Sequence, residues 1–195
     1  MENTEMFVVA CLGNPGKKYA KNRHNAGFLL GDYLADLYRI SLASSPFSAL
    51  AGKGSLEGRE VLIVMPQTYM NNSGIAVRQA VDSFTVGLEQ CLVIADDFAL
   101  PLGTLRLRRG GSDGGHNGLS SVVYHLESDA FPRLRCGIGS PAMPVGEETA
   151  TFVLSPFEPG EREPAAAMIR RAADAVESFV EAGIEKTMNV FNKAP

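Results

Sequence analysis

The sequence has no tryptophan, only three histidines and only three cysteines in 195 residues. Cys11, Cys91 and Cys136 are odd in number, widely spaced and free of any CxxC pair, which excludes a disulfide framework. His24, His116 and His125 lack HxxxH spacing and have no cysteine close by, so the usual signature of a metal site is missing and no metal is expected. Positive charge is not in excess either. Lys plus Arg number 18 against 22 for Asp plus Glu, a net charge of −4, so the chain as a whole has no attraction to nucleic acid or anionic membrane, and any polyanion must be held by a local patch. No apolar run approaches the roughly 18 residues of a membrane span, and the stretch from Met6 to Leu12 is too short for a signal-peptide core. A cytoplasmic protein is expected. A GxxxxGK[ST] loop is also missing, which argues against nucleotide cradling, and the cysteines sit in core-like strands, which argues against a covalent acyl-enzyme on a thiol.

What is present is ordinary globular composition, 45% apolar and 21% charged, in a length that suits one α/β domain over 1–195. Met6 to Leu12 reads as a strand buried on both faces, closed by the turn Gly13-Asn-Pro-Gly16. Leu30, Tyr33, Leu34, Leu37 and Tyr38 share a helical face. Ala49 to Leu56 and Glu60 to Met65 flank Glu57-Gly58 as a hairpin. A helix with stripe Val77, Ala80, Val81 and Phe84 follows, with Ser73 as a candidate cap. Cys91 to Ala95 reads as a strand stopped by Asp96-Asp97, and Thr104 to Arg109 as a strand feeding the glycine loop 110–115. A helix from His116 to Leu126, a strand from Leu134 to Gly139 and an amphipathic helix through Ala165, Met168, Ile169, Ala172, Ala175, Val176 and Phe179 complete the pattern. Strands alternating with helices, plus one hairpin, predict a three-layer α/β/α globule around a twisted mixed sheet.

Ligands of such sheets sit beyond the carboxyl ends of the strands. There the sequence places Asn14, Asn71, Asp96, and His116 with Asn117; His24, just ahead of the first helix, can join them. Each has a plain alternative. An asparagine caps turns, an aspartate ends a strand, and a histidine sits on a surface as readily as it accepts a proton near neutrality. The glycine loop is a candidate lid. Basic residues bunch as Lys17, Lys18, Lys21 and Arg23, as Arg106, Arg108 and Arg109, and as Arg133 and Arg135; each group is either solvated charge or a phosphate-binding rim.

Taken together, Leu12-Gly-Asn-Pro-Gly16, Tyr19, Arg23-His-Asn-Ala-Gly27, Pro66-Gln-Thr-Tyr-Met-Asn-Asn-Ser-Gly74, Asp96-Asp97 and Gly114-Gly-His-Asn-Gly-Leu119 occur in the order found in bacterial peptidyl-tRNA hydrolases. The chain resembles that family over nearly its whole length, through Phe131-Pro-Arg-Leu-Arg-Cys-Gly-Ile-Gly139 and Phe152-Val-Leu154. The resemblance implies a monomeric, cofactor-free esterase that releases peptide from tRNA, binding the acceptor stem and CCA end. It implies His24 as catalytic base and Asp96 as its carboxylate partner, with substrate contacts from Asn14, Asn71 and Asn117. Tyr19, Met70 and His116 would line the cleft, and Arg108 with Arg135 would hold a tRNA 5′-phosphate. Cys11, Asn22 and Ala99 depart from the family's usual glycine, threonine and aspartate. Two other readings stand beside it: a non-enzymatic RNA-binding module, as in the related chloroplast group II intron splicing factors, and a small-molecule phosphoester or amide hydrolase.

Overall fold

The computed structural model describes residues 6–141, 143 and 149–193. Its centre is β1 (Met6–Cys11), whose six residues are all apolar and nearly all buried. Such a strand suits only the middle of a sheet covered on both sides. It pairs in parallel with β4 (Arg59–Pro66) on one flank and β5 (Cys91–Pro101) on the other. β5 in turn pairs in parallel with β7 (Arg133–Gly139). β3 (Ala49–Leu56) runs antiparallel to β4, and the two-residue β2 (Ala43–Ser44) and β6 (Leu105–Arg108) are antiparallel edges, giving the order β2-β3-β4-β1-β5-β7-β6. The mixed sheet predicted from the sequence is therefore present. The hairpin turn is the one anticipated: Glu57 and Gly58 both have positive φ, as a two-residue turn between twisted strands requires.

Alternation along the central strands divides the core in two. Val9, Cys11, Ile63 and Ile94 face one layer, formed by α1 (Ala26–Leu37) and α5 (Arg162–Phe191). Val8, Ala10, Val64 and Val93 face the other, formed by α2 (Ser73–Phe84) and α3 (Asn117–Leu126). A short helix, α4 (Thr149–Val153), precedes α5. Each fully buried leucine or isoleucine of these layers contributes about 1.5–3 kcal/mol. Cys11 packs against α1, where a Cβ on Gly31 would come within 3.2 Å of its Sγ. All three cysteines are buried free thiols, and burial pushes Cys91 and Cys136 up to about 12, so none is a nucleophile.

Three expectations need correction. Asp96-Asp97 does not stop β5, which continues to Pro101 with a register shift between Asp97 and Pro101. Glycines on β7 permit this: a Cβ on Gly137 would lie 2.2 Å from the Pro101 carbonyl oxygen, so only a bare backbone fits. Ser73 does not cap α2. It is its first residue, fully buried, and its hydroxyl donates back to the Met70 carbonyl at 2.8 Å. Leu37 is 51% exposed rather than part of the α1 stripe. The last helix runs to Phe191 with a break at Gly183 (φ 78°), and beyond it the Asn192 amide pairs with the Leu107 N–H and C=O at 2.7 and 3.1 Å, closing the outer edge of β6.

Two close approaches set the site. A Cβ on Gly27 would lie 2.4 Å from the Leu12 carbonyl oxygen and 2.9 Å from that of Ile94, so the start of α1 rests directly on the end of β1 and on β5 beside it. A Cβ on Gly74 would lie 2.1 Å from the Ser121 carbonyl oxygen, which holds α2 tight against α3. The turns that precede these helices are thereby brought to one edge of the sheet.

Candidate active site

Asp96, 3% exposed on β5, is the hub of that edge. Its Oδ1 lies 2.8 Å from His24 Nδ1 and 3.0 Å from His116 Nε2. Burial works to raise the carboxyl, but the two histidines, His116 foremost, outweigh it and hold Asp96 well below the ordinary carboxylate range. His116 is the N-cap of α3, and its Nδ1 accepts the backbone N–H groups of Gly118 and Leu119 at 3.1 and 3.2 Å. A nitrogen that accepts two hydrogen bonds carries no proton, so in the neutral ring the proton is on Nε2 and is donated to Asp96. His24 likewise donates Nδ1–H to the same oxygen. Its Nε2 is left with a free lone pair.

The donor atoms of His24, Asp96 and His116 lie within 4.8 Å of one another, a grouping capable in principle of holding a metal. The tautomers do not suit one. His116 Nε2 bears the proton that its Nδ1 cannot, so it has no lone pair for an ion.

Asn14 follows β1, as expected, and is 9% exposed. Its Oδ1 accepts the Met70 N–H at 2.9 Å, while its backbone N–H and C=O exchange bonds with the Asn25 side-chain amide, both at 2.9 Å. This fixes the side-chain orientation and leaves its Nδ2–H donors without a partner among the described residues. Tyr69 has φ 63° and ψ 160°, a region costly for a non-glycine residue. The Met70–Asn14 bond holds the chain in it. Asn71 follows, exposed, on the one-turn helix Met70–Asn72, and Asn117, also exposed, opens α3. Met70 and His116 meet over Gly118, where a Cβ would lie 2.5 Å from Met70 Sδ and 3.0 Å from His116 Cε1. Tyr19 stands edge-to-face with Tyr69 at 6.5 Å, with Lys18 Nζ 4.6 Å from its ring centre. Asn22 is buried beside Pro156, whereas Ala99 is exposed and donates its N–H to Asp97 Oδ1.

The arginines separate into two kinds. Register pairs Arg106 with Arg135 and Arg108 with Arg133, so four guanidiniums share one face of the β6–β7 ribbon. They line a cleft of about 260 Å³ with Asp97 and Gly110, Gly111 and Ser112 of the glycine loop. Arg133 is 1% exposed and donates to the carbonyls of Ser112 and Asp129 at 3.1 and 2.7 Å. Arg135 bonds Asp97 Oδ2 at 3.1 Å and the Ser112 carbonyl at 2.7 Å. These two pin the loop to the sheet. Arg106 and Arg108 are exposed, and among the described residues only the Leu107 carbonyl is bonded to Arg108. Of the basic cluster read from the sequence, Arg106 thus joins Arg108 on this face. Arg109 faces away, paired with Glu185 at 2.7 Å.

The model of the peptidyl-tRNA hydrolase family matches residues 8–195. The chain belongs to that family. It is 46% identical over 188 residues to the peptidyl-tRNA hydrolase of Moorella thermoacetica, covering 96% of this chain and 98% of that one. It is 44% identical to that of Carboxydothermus hydrogenoformans, covering 96% and 99%. The crystal structure of peptidyl-tRNA hydrolase from Acinetobacter baumannii superposes with a TM-score of 0.90 at 36% identity, covering 97% of this chain and 95% of that one. Among the described residues no helix is long and apolar enough to cross a membrane.

Proposed function

We propose that the chain hydrolyses the ester between a peptidyl group and the 3′-terminal ribose of tRNA, with His24 as general base. The observation that carries this is the 2.8 Å contact of His24 Nδ1 with buried Asp96, which leaves Nε2 free to take a proton from water. The hydroxide so formed adds to the ester carbonyl. As the tetrahedral intermediate collapses, the ribose oxygen leaves with the proton held on His24, giving free tRNA and a peptide acid. Asn71, exposed and untied, supplies an N–H to the oxyanion. Asn14 Nδ2 and Asn117 hold the peptide and ribose, beside Tyr19 and Met70. Amides and apolar side chains favour the neutral N-acyl group of a peptidyl ester over the α-ammonium of an aminoacyl one, whose desolvation nothing here repays.

The cationic cleft of Arg106, Arg108 and Arg135 is assigned to phosphates of the acceptor stem, contacts that position the RNA without reading its sequence. On this reading the protein works in the cytoplasm as a monomer of one domain and needs neither metal nor cofactor. Turnover of an N-acetyl-aminoacyl-tRNA in the presence of EDTA tests this reading. Full activity is expected, and loss of activity restored by a divalent cation in the presence of substrate already folded by monovalent salt overturns the metal-free mechanism.

A further inference from the structure

His24 sits in the middle of a one-turn helix, Arg23–Asn25, so its ring direction depends on how its two neighbours are held. Asn25 is tied to Asn14 in the first turn. Arg23 is tied to a part of the chain more than 130 residues away. It is 3% exposed, and its Nη2 lies 2.6 Å from Glu161 Oε2, its Nε 3.4 Å from Ser155 Oγ and its backbone N–H 3.0 Å from the Ser155 carbonyl oxygen. The guanidinium lies 4.4 Å from the Phe152 ring centre and 5.1 Å from that of Phe157, and Asn22 bridges Pro156. The receiving groups are themselves fixed: Glu161 Oε2 also accepts the Glu158 N–H at 2.8 Å, and Ser155 Oγ donates to the Phe152 carbonyl at 2.7 Å.

As a stabilising device this is poor, because Arg23 Nη1 is buried without a partner among the described residues and an ion pair removed from water gives back much of what it gains. As a rigid mount it is effective, since a planar guanidinium held at several points and sandwiched by rings has little freedom. We propose that Arg23 is a positioning residue that, through Glu161 and Ser155, fixes His24 in line with Asp96. This rests on His24 being the base. Base and water must be held to a fraction of an ångström, so loosening the mount lowers turnover while leaving tRNA contacts elsewhere intact.

Glu161→Gln, which keeps Arg23 and the side-chain shape, and Arg23→Lys are the test variants. Each is expected to lower kcat about 10-fold to 10²-fold with KM within about twofold, and the double variant to lose no more than the worse single one. The His24 Nδ1 proton, seen by NMR, should move upfield or exchange faster in both variants. In a His24→Ala background neither should lower the residual rate. Folded variants with wild-type kcat and an unshifted Nδ1 proton overturn the proposal, as does an equal loss in the His24→Ala background. A His24→Ala enzyme that turns over normally instead overturns the base assignment, and the Nδ1 proton then decides the mount by itself.

Discussion

His24 and His116 converge on one oxygen of Asp96, at 2.8 and 3.0 Å, with their rings 5.0 Å apart and inclined at 49°. The two play unequal parts. His116 is locked at both nitrogens, by Asp96 and by the first turn of α3, so it holds the carboxylate in place. His24 is locked at one nitrogen only. A helix cap thereby supports the carboxylate that orients the proposed base, so the same ring would join fold stability to chemistry.

Removing the base tests the assignment most directly. His24→Ala is expected to lower kcat by about 10²-fold or more, the range of general-base catalysis, while binding of deacylated tRNA stays near normal. Single-turnover rates and a filter-binding titration check the two halves. Near-normal turnover would sink the assignment.

His116 offers a separation of roles. His116→Ala loses both cap and carboxylate anchor, so it should cost about 0.5–2 kcal/mol in stability as well as activity. His116→Asn keeps a good N-cap acceptor and gives up only the reach to Asp96. It should unfold close to wild type in urea and still turn over several-fold more slowly. If both variants lose only stability, Asp96 needs no second histidine.

Much of this arrangement was legible before the fold was known, because it rests on local signals. The continuous apolar run of β1, the Glu57-Gly58 turn and the glycine-bounded helix at Asn117 each declare themselves over a few residues. What stayed hidden depends on pairing between distant strands. Asp96-Asp97 reads as a stop, yet β5 runs on because Gly137 admits the Pro101 carbonyl. Arg133 reads as surface charge, yet it is buried where the loop carbonyls converge on it. Strand alternation already puts Arg106 and Arg108 on one face, but that they stand opposite Arg135 and Arg133 follows only from the register with β7. His116 was expected to line the cleft, and its bond to Asp96 is a contact across 20 residues that no spacing specifies.

Asp96→Asn carries a pH signature. The folded-state carboxyl lies below its ordinary range, so its contribution to stability is complete above the unfolded value of about 3.9 and is lost as pH falls through that value and below. The stability gap between wild type and Asp96→Asn should be widest near neutrality and close below about pH 4, as urea unfolding across that range would record. In turnover, the acid limb of the profile should move toward lower pH, because an imidazolium at His24 loses its carboxylate. An unmoved limb would leave Asp96 as a structural carboxylate.

The last prediction divides the four arginines of the β6–β7 face. Arg106 and Arg108 are exposed, so replacing both with Gln should raise KM for full-length peptidyl-tRNA and reduce the steepness of its salt dependence, since fewer counterions are released on binding. Arg133→Gln should behave differently. It strips charge-assisted bonds from the Ser112 and Asp129 carbonyls, each such bond worth about 1.5–3 kcal/mol, so its first effect is lost stability and a loosened glycine loop. A short substrate that keeps only the 3′-terminal nucleotides and the acylated residue separates phosphate grip from cleft chemistry. On it the Arg106/Arg108 double variant should equal wild type. Equal losses on long and short substrates would place those arginines in the reaction cleft and favour a small-molecule hydrolase. No loss on either would move the tRNA grip to another surface, with Lys17, Lys18 and Lys21 beside the first turn as the next basic cluster to replace.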